Sequence, residues 1–356
     1  GYFCPAPIPV LEASIRGARD INERASYFMR RERRDEVEAT RDELARLAGA
    51  SAEEICLTRN TTESMNIVIQ GLDFQAGDEV VYSNQDYGSM IEALKQKALR
   101  EGVVLREVDL PLDPASDAEV VDAYAAAMTP RTRLLLVTHM INLTGQVLPV
   151  AKLCDMAHSR GVEVMVDGAH AYSHIDFQMK DLDCDYYGTS LHKWLSAPLG
   201  SGMLYVRKDK IANVWPLLAA GDFAADDIRR LNHIGTHPVH VDLGILNAIE
   251  YQNAIGLQRK EARLKYLQHY WTSQLRDVPR VVVNTPADMN RHGGIGNVGI
   301  EGTDPVELAD TLFRDYRIFT VGIDRPGVKG LRITPNLYTT TEELDALVGA
   351  IRELSS

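Results

Sequence analysis

A chain of 356 residues is long enough for one large and one smaller domain, each with its own core. Its formal charge of −12 argues against nucleic acid or an anionic membrane surface as the main partner, and no apolar run reaches the roughly 18 residues that read as a membrane span. The four cysteines, Cys4, Cys56, Cys154 and Cys184, show neither CxxC nor metal-ligand spacing, which fits a reducing compartment without a disulfide framework. No signal peptide is visible and cytoplasm is the expected location, although the chain opens at "GYFCPAP" without a methionine and a targeting segment upstream stays open.

In chain order, apolar β-like runs alternate with helical stretches from residue 34 to 207. The runs are "EICLT" (54–58), "EVVYSN" (79–84), "VVLREVDL" (103–110), "RLLLVTH" (133–139), "VEVMVDGA" (162–169), "DYYGTS" (185–190) and "GMLYVR" (202–207). Between them, 36–48, 61–71, 88–101, 116–128 and 149–160 have helical character. Several runs are continuously β-branched rather than alternating, as in strands covered by helices on both faces. Strand and helix in alternation imply an α/β fold with a central, mostly parallel sheet. Past residue 242 the pattern changes to one long helical stretch, 242–276, then short runs at 280–284, 296–302 and 330–334 with helices at 305–315 and 341–354. The expected organisation is an N-terminal segment (1–14) packing with the small domain, a large α/β domain (15–241) and a smaller C-terminal α+β domain (242–356).

Ligands of open α/β sheets bind beyond the carboxyl ends of the strands. There the sequence places Asp167, His139, Asn142, the "NQDYG" turn (84–88), the "RNTT" turn (59–62) and Lys193. A partly desolvated lysine can lose its proton and form an imine with an aldehyde, and pyridoxal phosphate is the obvious aldehyde. That cofactor needs partners, and the chain offers one of each kind. Asp167 can pair with the pyridine nitrogen. Asn60, Thr61 and Thr62 open a helix whose N–H groups suit a phosphate, with Glu63 completing a capping-box pattern. Ser190 and His192 flank the lysine, Tyr87 can cover the ring, and Asn142 and His170 can donate to the phenolic oxygen. Arg332, in "GLRITPNLYTT", suits a substrate carboxylate. Taken singly, each is also what an ordinary cap, turn or surface residue shows; their joint occurrence in this chain order carries the reading.

The stretches "RNTTESMN", "GDEVVYSNQDYGS", "THMINLTGQVLPV", "VMVDGAHAYSHID", "YYGTSLHKWLSAPLGSGMLYVRK", "IGTHP" and "LRITPNLYTT" together make the chain similar to fold-type I pyridoxal-phosphate enzymes of the class V aminotransferase superfamily, over nearly its whole length. The resemblance implies a seven-stranded central sheet, Lys193 as the Schiff-base lysine and Asp167 as the partner of the ring nitrogen. It implies Thr61, Thr62, Ser190 and His192 on the phosphate side, Tyr87 as the stacking residue, Asn142 and His170 near the phenolic oxygen, and Arg332 on the substrate carboxylate. It also implies a homodimer in which Gly235 and Thr236 reach the phosphate of the neighbouring subunit. The cysteine desulfurases of this group carry a catalytic cysteine ahead of the "LR" strand; here "YRIFTVGIDRPGVKGLR" has none, and the chain looks closest to the isopenicillin N epimerase-like branch.

The expected function is therefore chemistry at the α-carbon of an amino acid through an imine on Lys193, by an epimerase or an aminotransferase, with Lys193 as general base and Tyr87 a candidate acid on the opposite face. A β-lyase is the alternative. A nicotinamide enzyme is disfavoured because no G-x-G-x-x-G follows the first strand, and a silent regulatory protein because both the lysine and the aspartate are present. "AAGDFAADDIRRLNHIGTHP" (219–238) is expected to line the entrance; Arg229 and Arg230 there read as part of a solvated charged loop or, less simply, as a second carboxylate site.

Overall fold

The computed structural model describes residues 4–356. Its large sheet has seven strands: β1 (Ile55–Thr58), β2 (Glu79–Ser83), β3 (Val104–Val108), β4 (Thr132–Thr138), β5 (Glu163–Asp167), β6 (Tyr186–Ser190) and β7 (Gly202–Val206). Their order is β1-β7-β6-β5-β4-β2-β3. All neighbours from β6 to β3 pair in parallel, and β7 is antiparallel to both β6 and β1. The reason for the continuous apolar runs is visible in β4. Leu135 and Val137 enter the core on one face of the sheet, Leu134 and Leu136 the core on the other. Both faces are covered, so neither needs a polar set.

The helices Thr61–Gly71 and Gly88–Glu101 have the bounds that the sequence pattern implies. The small sheet is antiparallel, in the order β10-β11-β9-β8, with β8 (Val281–Val283), β9 (Gly296–Ile300), β10 (Val321–Arg325) and β11 (Val328–Ile333). Its core joins Trp271, Val298, Leu331 and Leu347.

Two differences from the sequence reading have physical causes. The stretch 242–276 is two helices, Val239–Ile255 and Leu257–Thr272, broken at Gly256 with φ +83°. Glycine takes that backbone region without the Cβ penalty, so the helical pattern runs through a real stop. Strand β10 has no apolar run in the sequence because it is a partly exposed edge strand of mixed polarity. At the N-terminus, Ile8–Glu23 is a helix that packs on Val239–Ile255. Of the segment expected at 1–14, residues 1–3 lie outside the described ones; the Cys4 sulfur accepts a hydrogen bond from Asn336 Nδ2 at 3.3 Å. No helix among the described residues is long and apolar enough to cross a membrane.

Candidate active site

Beyond the carboxyl ends of β4, β5 and β6 lies a cavity of ≈ 320 Å³. The structure gathers there Thr61, Thr62, Tyr87, Asn142, Asp167, His170, Ser190, His192 and Lys193. Each arrives by a local device. Asn60 is the N-cap of the Thr61–Gly71 helix and its side chain accepts from the Glu63 N–H at 2.9 Å. The expected capping box is only half made: the Glu63 carboxylate turns to Arg59, accepting from its backbone N–H at 2.6 Å and its guanidinium at 2.7 Å. This helix start is pressed against β7, where a Cβ on Gly202 would meet Asn60 N at 2.6 Å. The Thr61 N–H donates to Ser190 Oγ at 2.9 Å, and the two hydroxyls lie 2.7 Å apart. Two segments remote in sequence therefore present one cluster of donors at a helix N-terminus, the arrangement that suits a phosphate. His192 adjoins them, its Nδ1–H donating to the Ser201 carbonyl at 3.1 Å.

Asp167 ends β5 and is buried, with Oδ1 accepting from the Ala169 N–H at 3.0 Å. Burial pushes its carboxyl pKa up, while the Ala169 N–H and Lys193 pull it down. A buried carboxylate is stabilised by a cationic partner, and a protonated ring nitrogen is one. Lys193, held in the turn after β6, is lowered to about 8, chiefly by burial, with the charge of Arg332 acting in the same direction and that of Asp167 against it. Its Nζ lies 3.2 Å from His170 Nε2. Helix N-terminus, buried carboxylate and desolvated lysine around one cavity are the donor set that pyridoxal phosphate requires, so the residues fit that group.

Asn142 sits in a tight turn closed by an antiparallel bridge between Met140 and Val147, and the turn is fastened to the small sheet. Asn297 Nδ2 donates to the Leu143 carbonyl at 3.1 Å and Thr285 Oγ1 to that of Thr144 at 2.7 Å.

Several residues lie elsewhere. Arg332, on β11, is buried and outside the cavity lining, though near enough for its charge to depress Lys193 and His170. Gly235 and Thr236 are exposed in the loop before Val239–Ile255 and do not reach this chain's own cavity. His139 turns away, packing on Phe177 at 4.8 Å and lying 3.3 Å from the Tyr187 hydroxyl. Arg229 is engaged by Asp227, at 2.6 Å, and lies over Phe223, while Arg230 is bound to the Ala225 and Val214 carbonyls. Neither is poised for a second carboxylate.

Sequence reasoning missed Asp86 and Thr138. Thr138 Oγ1 donates to Asp86 Oδ1 at 2.6 Å and the Ser83 N–H to Oδ2 at 2.7 Å. Burial, with the Asp167 charge adding to it, raises Asp86 to about 7. The register pairs Thr138 directly with Asp167, so this buried network supports the end of β5. Asp86 was visible within "NQDYG", but its partner lies on another strand and no local signal joins them.

The fold and this cavity define a class, and comparison agrees: the aminotransferase class-V family model matches residues 10–347. The chain belongs to that family and is a pyridoxal-phosphate-dependent enzyme. Among curated relatives, isopenicillin N epimerase of Streptomyces clavuligerus is 34% identical over 88% of this chain and 83% of its own. The isopenicillin N epimerase of Amycolatopsis lactamdurans is 32% identical over 100% and 94%. A cysteine desulfurase of Haloferax volcanii is 29% identical over 88% and 78%. Among solved structures, the cystine C–S lyase C-DES, in complex with its product cysteine persulfide, shares the fold with a TM-score of 0.88 at 21% identity, covering 98% of this chain and 94% of its own.

Proposed function

We propose that the enzyme acts at the α-carbon of an amino acid or amino-acid-derived substrate, as an epimerase or aminotransferase of the isopenicillin N epimerase-like kind. The observation that carries this reading is the convergence of Lys193, Asp167 and the Thr61–Ser190 cluster on one cavity. Bound there, pyridoxal phosphate supplies an electron-withdrawing ring that stabilises negative charge at the substrate α-carbon. Thr61, Thr62, Ser190 and His192 hold the phosphate; Asp167 keeps a proton on the ring nitrogen; Asn142 and His170 donate to the phenolic oxygen. Tyr87 covers the ring face, and Arg332 takes the substrate carboxylate. Lys193, easily deprotonated where it lies, is the base that removes the α-proton. Delivery of a proton to the opposite face of the α-carbon, with Tyr87 the candidate donor, gives epimerisation; delivery away from the α-carbon gives transamination.

Gly235 and Thr236 belong in this reading to the site of a second copy. Ile234 and His237, which flank them, share a groove with Leu199 and Gly200, and these last two also line the cavity. A homodimer would bring the loop of one copy to the cavity of the other.

A β-lyase is the second reading, favoured by the likeness in fold to a C–S lyase. Sulfur transfer through a protein persulfide is not supported: all four cysteines are buried, and burial pushes the thiols up, away from the thiolate such chemistry uses. The test is a panel of L- and D-amino acids in deuterated water. Solvent deuterium at the α-carbon with racemisation marks an epimerase, and keto acid formed only with an amino acceptor marks an aminotransferase. Keto acid with free ammonia marks the lyase. No exchange and no product with any amino acid would remove the proposal.

A further inference from the structure

Behind Lys193 lies a chain of buried side chains in which only His170 has a part in the proposed chemistry; Trp194, His174 and Lys260 have none. Trp194 Nε1–H donates to His170 Nδ1 at 3.2 Å, and His170 Nε2 faces Lys193 Nζ at 3.2 Å. The indole is fixed from behind. Its ring centroid lies 3.9 Å from that of His174, whose Nε2 accepts the Gly294 N–H at 2.7 Å. The Trp194 backbone carbonyl accepts from the buried ammonium of Lys260, which also donates to Gln252 Oε1 at 2.9 Å. Trp194, His170 and His174 are all buried.

An indole nitrogen can only donate, so His170 Nδ1 must present its lone pair to Trp194. A neutral imidazole then carries its proton on Nε2. That N–H points at Lys193, and a nitrogen placed to accept from it must have a free electron pair, which an ammonium lacks. We propose that Trp194 is a positioning residue: it fixes His170 as the Nε2–H tautomer and thereby favours the neutral amine of Lys193 over its ammonium. The consequence for catalysis rests on the reading of Lys193 as the lysine that binds the cofactor; the tautomer does not. When Lys193 is engaged elsewhere, the same Nε2–H remains a donor for an oxyanion such as a phenolate.

The surrounding charges act together with this bond. Lys193 faces Asp167 on β5, Arg332 on β11, Cys4 in the N-terminal segment and His170 itself; His170 also faces Arg332 and His174. Asp167 favours the ammonium and Arg332 opposes it. Removing the indole N–H leaves both in place and frees His170 to take the other tautomer, whose bare Nε2 would welcome an ammonium.

The test is NMR of the full chain with labelled histidine and lysine, before and after saturation with pyridoxal phosphate, comparing wild type with Trp194→Phe. The wild type should show His170 protonated on Nε2 and bare on Nδ1 in both states. Trp194→Phe keeps an aromatic ring against His174 and should populate the Nδ1–H tautomer, raising the Lys193 pKa in the cofactor-free chain by roughly half a unit to one unit. An Nδ1–H tautomer or an imidazolium in the wild type overturns the proposal, as does a folded Trp194→Phe with Lys193 unchanged. Should that variant fail to fold, the wild-type tautomer alone decides. Failure of the cofactor reading shows separately, as the absence of any visible absorption band on adding pyridoxal phosphate.

Discussion

Ser190 joins two parts of the site, since its hydroxyl meets both the N–H and the hydroxyl of Thr61. Ser190→Ala removes one donor from the phosphate cluster and should weaken cofactor binding about 3- to 10-fold, read by equilibrium dialysis, with little change in fold. Buried Lys260 makes a different prediction. Its pKa is lowered to about 8 by burial, whereas in the unfolded chain it keeps its proton to about 10.4. Between those values the unfolded state binds more protons, so this lysine makes stability rise with pH across that window, by on the order of 3 kcal/mol. Urea titrations of the cofactor-free protein at several pH values should show that slope reduced in Lys260→Met; an identical slope would contradict the assignment. At this scale the places of Lys193, Asp167, Thr61 and Ser190 around the cavity were legible in the sequence, because each ends or follows a strand or opens a helix. It did not reveal Asp86 with Thr138, or Trp194 with His170, because those pairs meet only when separate segments fold together.

The elements that carry the site are set by a few backbone positions. Gly145 closes the turn that holds Asn142, with φ +78°, and a Cβ there would lie 1.9 Å from the Ile295 carbonyl oxygen. Gly145→Ala should cost about 2–5 kcal/mol, from the left-handed backbone and the clash together, and loosen the turn from the small sheet. Thermal unfolding measures the first effect and hydrogen exchange at 140–148 the second. Replacing the N-cap, Asn60→Ala, should cost about 1 kcal/mol. The helices around the site were legible because their apolar periods and caps are local. The break at Gly256 was not, since an isolated glycine within a helical pattern is tolerated at a cost of about 1 kcal/mol, as Gly244 is within Val239–Ile255.

At the scale of the whole molecule, a shared site requires a dimer. Sedimentation equilibrium should give about twice the 39.6 kDa of the single chain. Thr236→Val should weaken cofactor binding although Thr236 does not line its own chain's cavity. A monomer that binds cofactor normally would refute the shared site. The mostly parallel large sheet could be expected from the alternation over 34–207 and a smaller α+β domain from the change of pattern near residue 242; the antiparallel pairing of the small sheet could not. The engagement of Arg229 and Arg230 with their own neighbours could not, because it depends on how the loop folds back on itself.

The most direct measurement is the visible absorption spectrum of the purified protein with pyridoxal phosphate, recorded against pH and repeated with Lys193→Ala. A pH-sensitive band in the wild type that is missing from the variant, and that changes when an amino acid is added, is the expected result. A wild type with no band, or a Lys193→Ala spectrum identical to it, would contradict the assignment of this cavity and this lysine.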